Sequence, residues 1–355
     1  MVQSANQRPI SQIFDIDTNL KYVIPKFQRE YIWKKKDWLN IFNDIFDNDK
    51  GYFLGSIICI NKAVDVLDIQ SLEVIDGQQR LATISLLYAA IYEKLSSEKD
   101  RTDEEYITEK NNLKNRLILK RNNKELKLEL SLQNNNYNDY MEILDEIGIF
   151  KCLNRTPNLG NRRIYKAFRF FKEQISIFTF EQLKQLLENI NSAQMVKIEV
   201  GNHSDAFMLF ESLNNRGEPL SPIDLIKNNI LSSFEKHKLK SIMEAFDDWN
   251  RLILNLSDKA DPEKDYSLQE RFLRHYYNAF RFKNEIKIKG ITKATRSKLM
   301  IIYEALIDKD VQYIFNELIE KSKTYKYFIN PEDDDSIKQF KQGWAHSRFV
   351  GNSAT

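Results

Sequence analysis

Hydrophobic and polar positions follow two different periods along this chain, and its first hundred residues carry both. Tyr22-Val23-Ile24-Pro25 reads as a short extended piece, because a residue preceding proline is pushed out of the α region. From about Lys36, the residues Trp38, Leu39, Phe42, Ile45 and Phe46 fall on one helical face, which Gly51 is read as ending. Residues 54–60 and 72–75 are dense β-branched runs of buried-strand character. Residues 78–95 then predict a helix, with Leu81, Ile84, Leu87, Tyr88, Ile91 and Leu95 on one side.

Beyond residue 95 the pattern loosens. Residues 96–115 read as a solvated helix or linker, and 117–120 with 126–132 flank Asn122-Asn123 as a hairpin. A helix is predicted over 137–147. Further on, Ile164, Ala167, Phe168, Phe171 and Ile175 make a helix face, continued by 180–190. Residues 196–200 alternate as one more strand. Amphipathic stretches follow at 205–213, 222–236, 238–256, 267–282 and 295–323, whereas 344–355 have no periodicity. The fold class expected is α+β, a small mixed α/β N-terminal core followed by a mainly α-helical region.

Composition narrows the function. No run of about 18 apolar residues exists, so a membrane-spanning helix is not expected. The first eight residues lack the apolar core of a secretory signal, and a cytoplasmic location is expected. Two cysteines and four widely spaced histidines suit neither a disulfide framework nor a structural zinc site. With 53 basic against 51 acidic residues, the net charge of +2 argues against DNA binding by charge alone. Ten glycines in 355 residues is under half the usual share, so each marks a place where the backbone needs one.

Three stretches carry candidate chemistry. In Val74-Ile75-Asp76-Gly77-Gln78-Gln79-Arg80-Leu81-Ala82-Thr83 a strand ends, a glycine turns, and a helix begins. Free N–H groups at such a helix start form an anion site, to which Arg80 adds a fork of donors. Asp76 either caps the helix or holds a divalent cation beside a phosphate, and the glutamines orient a water or a ribose. In Ile24-Pro25-Lys26-Phe27-Gln28-Arg29-Glu30-Tyr31-Ile32-Trp33, aromatics interleave with polar residues. They either frame a flat ligand, with Arg29 on a phosphate, or form core. In the third stretch, Asn214-Asn215-Arg216-Gly217 closes a helix, and Ser221, Pro222 and Asp224 cap the next one. That leaves Asn214, Asn215, Arg216, Lys227 and Asn228 as a polar corner, either structural or facing a ligand. No Gly-x-x-x-x-Gly-Lys loop and no nucleophile–base pair occurs. Asp265 with Glu285-Ile286-Lys287 is a weak match to a nuclease pattern.

Taken together, the Ile24–Trp33 block, Phe53-Leu54-Gly55-Ser56-Ile57, the Asp76–Arg80 block and Phe210 through Asn228 resemble the N-terminal domain of GmrSD-type, modification-dependent restriction endonucleases. The resemblance implies a ParB-like nucleotide-binding core over residues 1–100, completed by a hairpin and helical region over 101–235. Residues 236–343 are expected to be helical and 344–355 an irregular tail. Asp-Gly-Gln-Gln-Arg is the family's NTP-binding and hydrolysis motif. It implies catalytic roles for Asp76, Gln79 and Arg80, with Asp76 also on Mg²⁺. Gln28, Arg29, Gly77, Gln78, Thr83, Asn214, Arg216 and Lys227 are the expected nucleotide-binding residues.

The implied function is an NTP-binding and NTP-hydrolysing sensor of a bacterial anti-phage restriction system. The alternative is a non-hydrolysing, nucleotide-gated DNA clamp or scaffold. Expected partners are a nucleoside triphosphate, modified phage DNA, a separate nuclease subunit and further copies of the chain, without a membrane. Two departures stand out: Ala82 where relatives have a threonine, and no histidine–asparagine–histidine nuclease domain before Thr355, which implies the sensor half alone.

Overall fold

A computed structural model describes residues 2–26, 28–61, 69–98, 103–120, 125–132, 135–151, 155–203, 205–206, 209, 221–257 and 266–329. The chain divides into two compact units, Met1–Glu218 and Pro219–Thr355. The α+β class holds, with a six-stranded mixed sheet and a majority of helical residues.

The first unit is built on strands β1 (Val2–Pro9), β2 (Leu20–Val23), β3 (Phe53–Asn61), β4 (Gln70–Asp76), β5 (Leu128–Glu129) and β6 (Gln194–Val200), in the spatial order β1-β6-β3-β4-β2-β5. β3 runs antiparallel to β4 and parallel to β6, and β2 runs parallel to both β4 and β5. The ends of β2 and β4 therefore point the same way, and the chain leaves both into the stretches singled out above. Open sheets commonly gather ligands at such carboxyl ends.

β1 escapes the hydrophobic pattern because nearly all of it is exposed. It pairs with β6 from Val2↔Val200 to Pro9↔Gln194, so main-chain bonds rather than buried side chains place it. The arms of the expected hairpin are joined by an antiparallel Ile118↔Leu126 bridge and by bonds from the Leu119 N–H to the Glu125 carbonyl and the Lys127 N–H to the Leu117 carbonyl. Its Asn122-Asn123 turn lies outside the described residues, and Leu128 and Glu129 join the sheet edge beside β2.

Among the described residues this unit also contains the helices α1 (Ile10–Ile13), α2 (Lys35–Asp47), α3 (Gln78–Ser97), α4 (Glu104–Leu117), α5 (Asn136–Glu146), α6 (Arg163–Gln174) and α7 (Phe180–Ser192). Fifteen of the twenty residues of α3 are buried, so it is a central helix, not a one-sided one. Its side chains pack with Tyr22, Ile57, Cys59, Leu72, Val74 and Met195 from one sheet face. At about 1.5–3 kcal/mol per fully buried large apolar side chain, this contact dominates the unit's cohesion. The face of α2 is narrower than its sequence suggests: Trp38, Ile41, Phe42 and Ile45 are buried, whereas Leu39 and Phe46 lie exposed. That i, i+3, i+4, i+7 set is one stripe, and Leu39 and Phe46 fall beside it.

The second unit contains α8 (Pro222–His237), α9 (Ile242–Asn255), α10 (Tyr266–Phe280) and α11 (Leu299–Ile329), the last interrupted at Asp310 by non-helical φ −163° and ψ 92°. Ser221 caps α8 through the Ile223 N–H, with Pro222 in the first helical position, as the sequence suggests.

Candidate functional site

β4 passes into α3 through one residue. Gly77 sits in the left-handed region at φ +90° and ψ 4°, and a Cβ there would meet Ile57 Cγ2 at 2.5 Å and the Ser56 carbonyl oxygen at 3.1 Å. Conformation and space thus both demand glycine. Gly77 is also the N-cap of α3, and no side chain caps that helix. Asp76 lies one residue too early for the cap, so of its two sequence readings the capping role is removed. The Gly77 N–H instead donates to its carboxylate.

Arg80 projects from the first turn of α3 and lies against the strand beside it. Its Nη1 donates to the Ser56 carbonyl at 2.9 Å, and its guanidinium covers Gly55, where a Cβ would come within 3.0 Å. Gly55 is itself left-handed at φ +106°. Burial pushes the Asp76 carboxyl above its ordinary range, and the Gly77 N–H, Arg80 and Arg29 each pull it back. Burial likewise lowers the Arg80 guanidinium from its ordinary value while Asp76 raises it. An uncapped helix start, two guanidinium groups and one carboxylate therefore meet in a half-buried corner. Unpaired N–H groups at a helix start and guanidinium groups beside them are chemistry that suits an anion.

The 24–33 stretch is tied to this junction by side chains. Gln28 is buried and donates from Nε2 to the Ile75 carbonyl at 2.9 Å, while its Oε1 has no hydrogen-bond partner among the described residues. Gln79 accepts from the Ile32 N–H at 2.8 Å and the Trp33 N–H at 3.4 Å, and donates to the Glu30 carbonyl at 3.0 Å. Both ends of its amide are thus used by main chain. Gln78, also buried, has no such hydrogen bond among the described residues. Thr83 is buried inside α3, donating to the Gln79 carbonyl at 2.7 Å, so the Tyr31 hydroxyl 2.6 Å away must be the donor to Thr83. Burial and the lost solvent raise the Tyr31 phenol well above its ordinary value.

The two blocks are thus halves of one constellation, ordered along the sequence as strand, clasped loop, strand, turn and central helix. Residues 10–231 match the family described as GmrSD restriction endonuclease, N-terminal domain. The chain belongs to that family. Membership gives it a role in a restriction system. The match takes in nearly all of the first unit and ends within α8. No curated protein matches the chain.

Within this GmrSD N-terminal domain, Gln28, Arg29, Asp76, Gly77, Gln78, Gln79, Arg80 and Thr83 are gathered around the start of α3. Asn214 and Arg216 lie outside the described residues. Lys227 belongs to the second unit, where its Nζ pairs with Asp224 Oδ1 at 3.4 Å one helical turn away. Asn228 beside it is buried, with neither amide atom partnered among the described residues. Sequence reasoning did not single out Ser56, whose carbonyl holds Arg80, nor Arg163, whose Nη1 approaches the Tyr31 and Ile32 carbonyls at 3.5 and 3.3 Å. A carbonyl contact leaves no mark on residue type, so only Gly55 signalled the first. No helix among the described residues is long and apolar enough to cross a membrane.

Proposed function

We propose that the first unit binds and hydrolyses a nucleoside triphosphate, and that this reports to a partner nuclease in bacterial defence against phage DNA. The observation carrying this reading is the uncapped start of α3, with Arg80 laid over Gly55 beside Asp76 and Arg29. Phosphates would sit on the helix-start N–H groups, with Arg80 and Arg29 neutralising their charge. Stabilising charge and fixing geometry are the main contributions a protein makes to phosphoryl transfer.

Among the described residues no group of three or more His, Cys, Asp or Glu could hold a metal by itself. Asp76 alone fits Mg²⁺, which is bound through one or two carboxylates together with substrate phosphates. When bound, Mg²⁺ supplies charge neutralisation on those phosphates. Gln79 acts through position, since its amide holds the 30–33 backbone. Gln78, with no hydrogen bond on its amide among the described residues, is left to orient a water. A ParB-like nucleotide core and modified DNA as the signal belong to this same reading.

The alternative is a nucleotide-gated clamp or scaffold that binds without turnover. The engaged amide of Gln79 favours it, because that side chain is not available to an attacking water. Phosphate release by the full chain with ATP, GTP, CTP and UTP, each with Mg²⁺, separates the two. We expect turnover of at least one nucleotide, lost in Asp76→Ala and in Arg80→Ala. Variants hydrolysing at the wild-type rate refute the site assignment, and tight binding without phosphate release favours the clamp.

A further inference from the structure

The segment 30–33 belongs to no strand, yet five of its main-chain groups are hydrogen-bonded, all of them to two side chains. Gln79 takes the Ile32 and Trp33 N–H groups and the Glu30 carbonyl. Arg163 reaches the remaining two, the Tyr31 and Ile32 carbonyls, with its Nη1 also 3.9 Å from the Glu30 carboxylate. Arg163 is the first residue of α6, whose opening turn holds no acidic residue. A cation at a helix N-terminus opposes the helix dipole, so these contacts offset an unfavourable placement.

The root of Arg163 is fixed in turn. Its neighbour Arg162 donates from Nε to the buried Asp139 carboxylate at 3.1 and 3.4 Å, and the Thr156 N–H donates to Glu142 at 2.6 Å. Asp139 and Glu142 stand one turn apart on α5, and Tyr140 between them meets Ser85 of α3 at 2.5 Å. A chain of bonded groups thus runs from α3 through α5 and the start of α6 to the segment carrying Gln28 and Arg29.

We infer that Arg163 is a positioning residue of the candidate site: it fixes 30–33 carbonyls that Gln79 does not hold and thereby sets where Gln28 and Arg29 stand. The inference deepens the nucleotide-binding reading and rests on it for its effect on ligand, but not for its effect on the backbone.

Hydrogen exchange of the full chain tests both. Arg163→Ala should speed exchange of the Ile32 and Trp33 amides roughly tenfold while the amides of α3 keep their protection. Arg163→Lys should restore part of it, since an ammonium keeps a charged donor but not the reach and planar shape that bring Nη1 to both carbonyls. With ATP, GTP, CTP and UTP tried in turn, the nucleotide that wild type binds should bind Arg163→Ala about tenfold more weakly. Arg80→Ala is the control: it should remove binding and leave exchange over 28–34 unchanged. Wild-type exchange at Ile32 and Trp33 in Arg163→Ala overturns the inference whatever the nucleotide result. Unchanged affinity despite faster exchange overturns it as well. If wild type binds none of the four, the nucleotide reading fails, and the exchange data alone decide the role of Arg163.

Discussion

Two stretches that meet at the candidate site are held in opposite ways. The turn from β4 into α3 is fixed by its own backbone: Gly77 at φ +90° against Ile57, then a helix start bedded in the core. Among the described residues the 28–33 stretch pairs with no strand and is held by side chains, its own Gln28 on the Ile75 carbonyl and those of residues 79, 83 and 163. Local sterics decide the first, and distant residues decide the second. The first region therefore tolerates almost no change at its own positions, while the second is sensitive to changes made elsewhere.

The strongest way to break this contrast is Gly77→Ala. Left-handed strain together with overpacking against Ile57 should cost about 2–4 kcal/mol, visible as a lower denaturant midpoint for the first unit. A midpoint within error of wild type would mean that the turn relaxes, and the contrast would be lost.

Next in size is a pH effect on the support of the second stretch. Burial pushes the Asp139 carboxyl up to about 6, with Arg162 opposing and Glu142 adding to the rise. A native carboxyl with a raised value holds its proton more tightly than the unfolded chain does. Its contribution is thus greatest below the unfolded value and is lost as pH rises from about 4 to 6. Stability of wild type relative to Asp139→Asn should fall across that window by up to about 3 kcal/mol. Parallel pH–stability curves for the two proteins would show that Asp139 is not so perturbed.

The smallest expected effect sharpens the comparison most, because it touches the residue shared by both stretches. Gln79→Leu keeps the helix former but leaves main-chain groups of 30–33 unpaired, at about 1–2 kcal/mol. Tryptophan emission should report a change at Trp33, and exchange should quicken at Ile32 but not along α3. Uniform loosening of α3 would place the clasp in the wrong region.

What the sequence disclosed follows the same division. α3, β3 and β4 were legible because dense apolar runs record burial, and Gly77 was legible because few residues accept its conformation. The passage from strand through Gly77 into helix followed from the residue spacing. β1 was not legible, since an exposed edge strand has no apolar alternation to record. Leu39 and Phe46 misled because a broad apolar arc looks like a wide buried face when only one stripe is covered. The work of Gln79 and Arg163 was hidden for a different reason. Gln79 binds N–H groups and a carbonyl, and Arg163 binds carbonyls, all more than 45 residues away, and main-chain groups are the same at every position. Pairing of that kind is a property of the fold and is not encoded in residue type.

The burial of α3 on all sides has a mechanical consequence. Turning this helix by one residue, about 100°, would carry its fifteen buried side chains out of their pockets together. Its first turn is therefore a stiff support, and a load applied to Arg80 finds little give beneath it. The compliance of the corner lies in the clasped 28–33 stretch opposite, where a few hydrogen bonds set the resistance and a small force produces displacement.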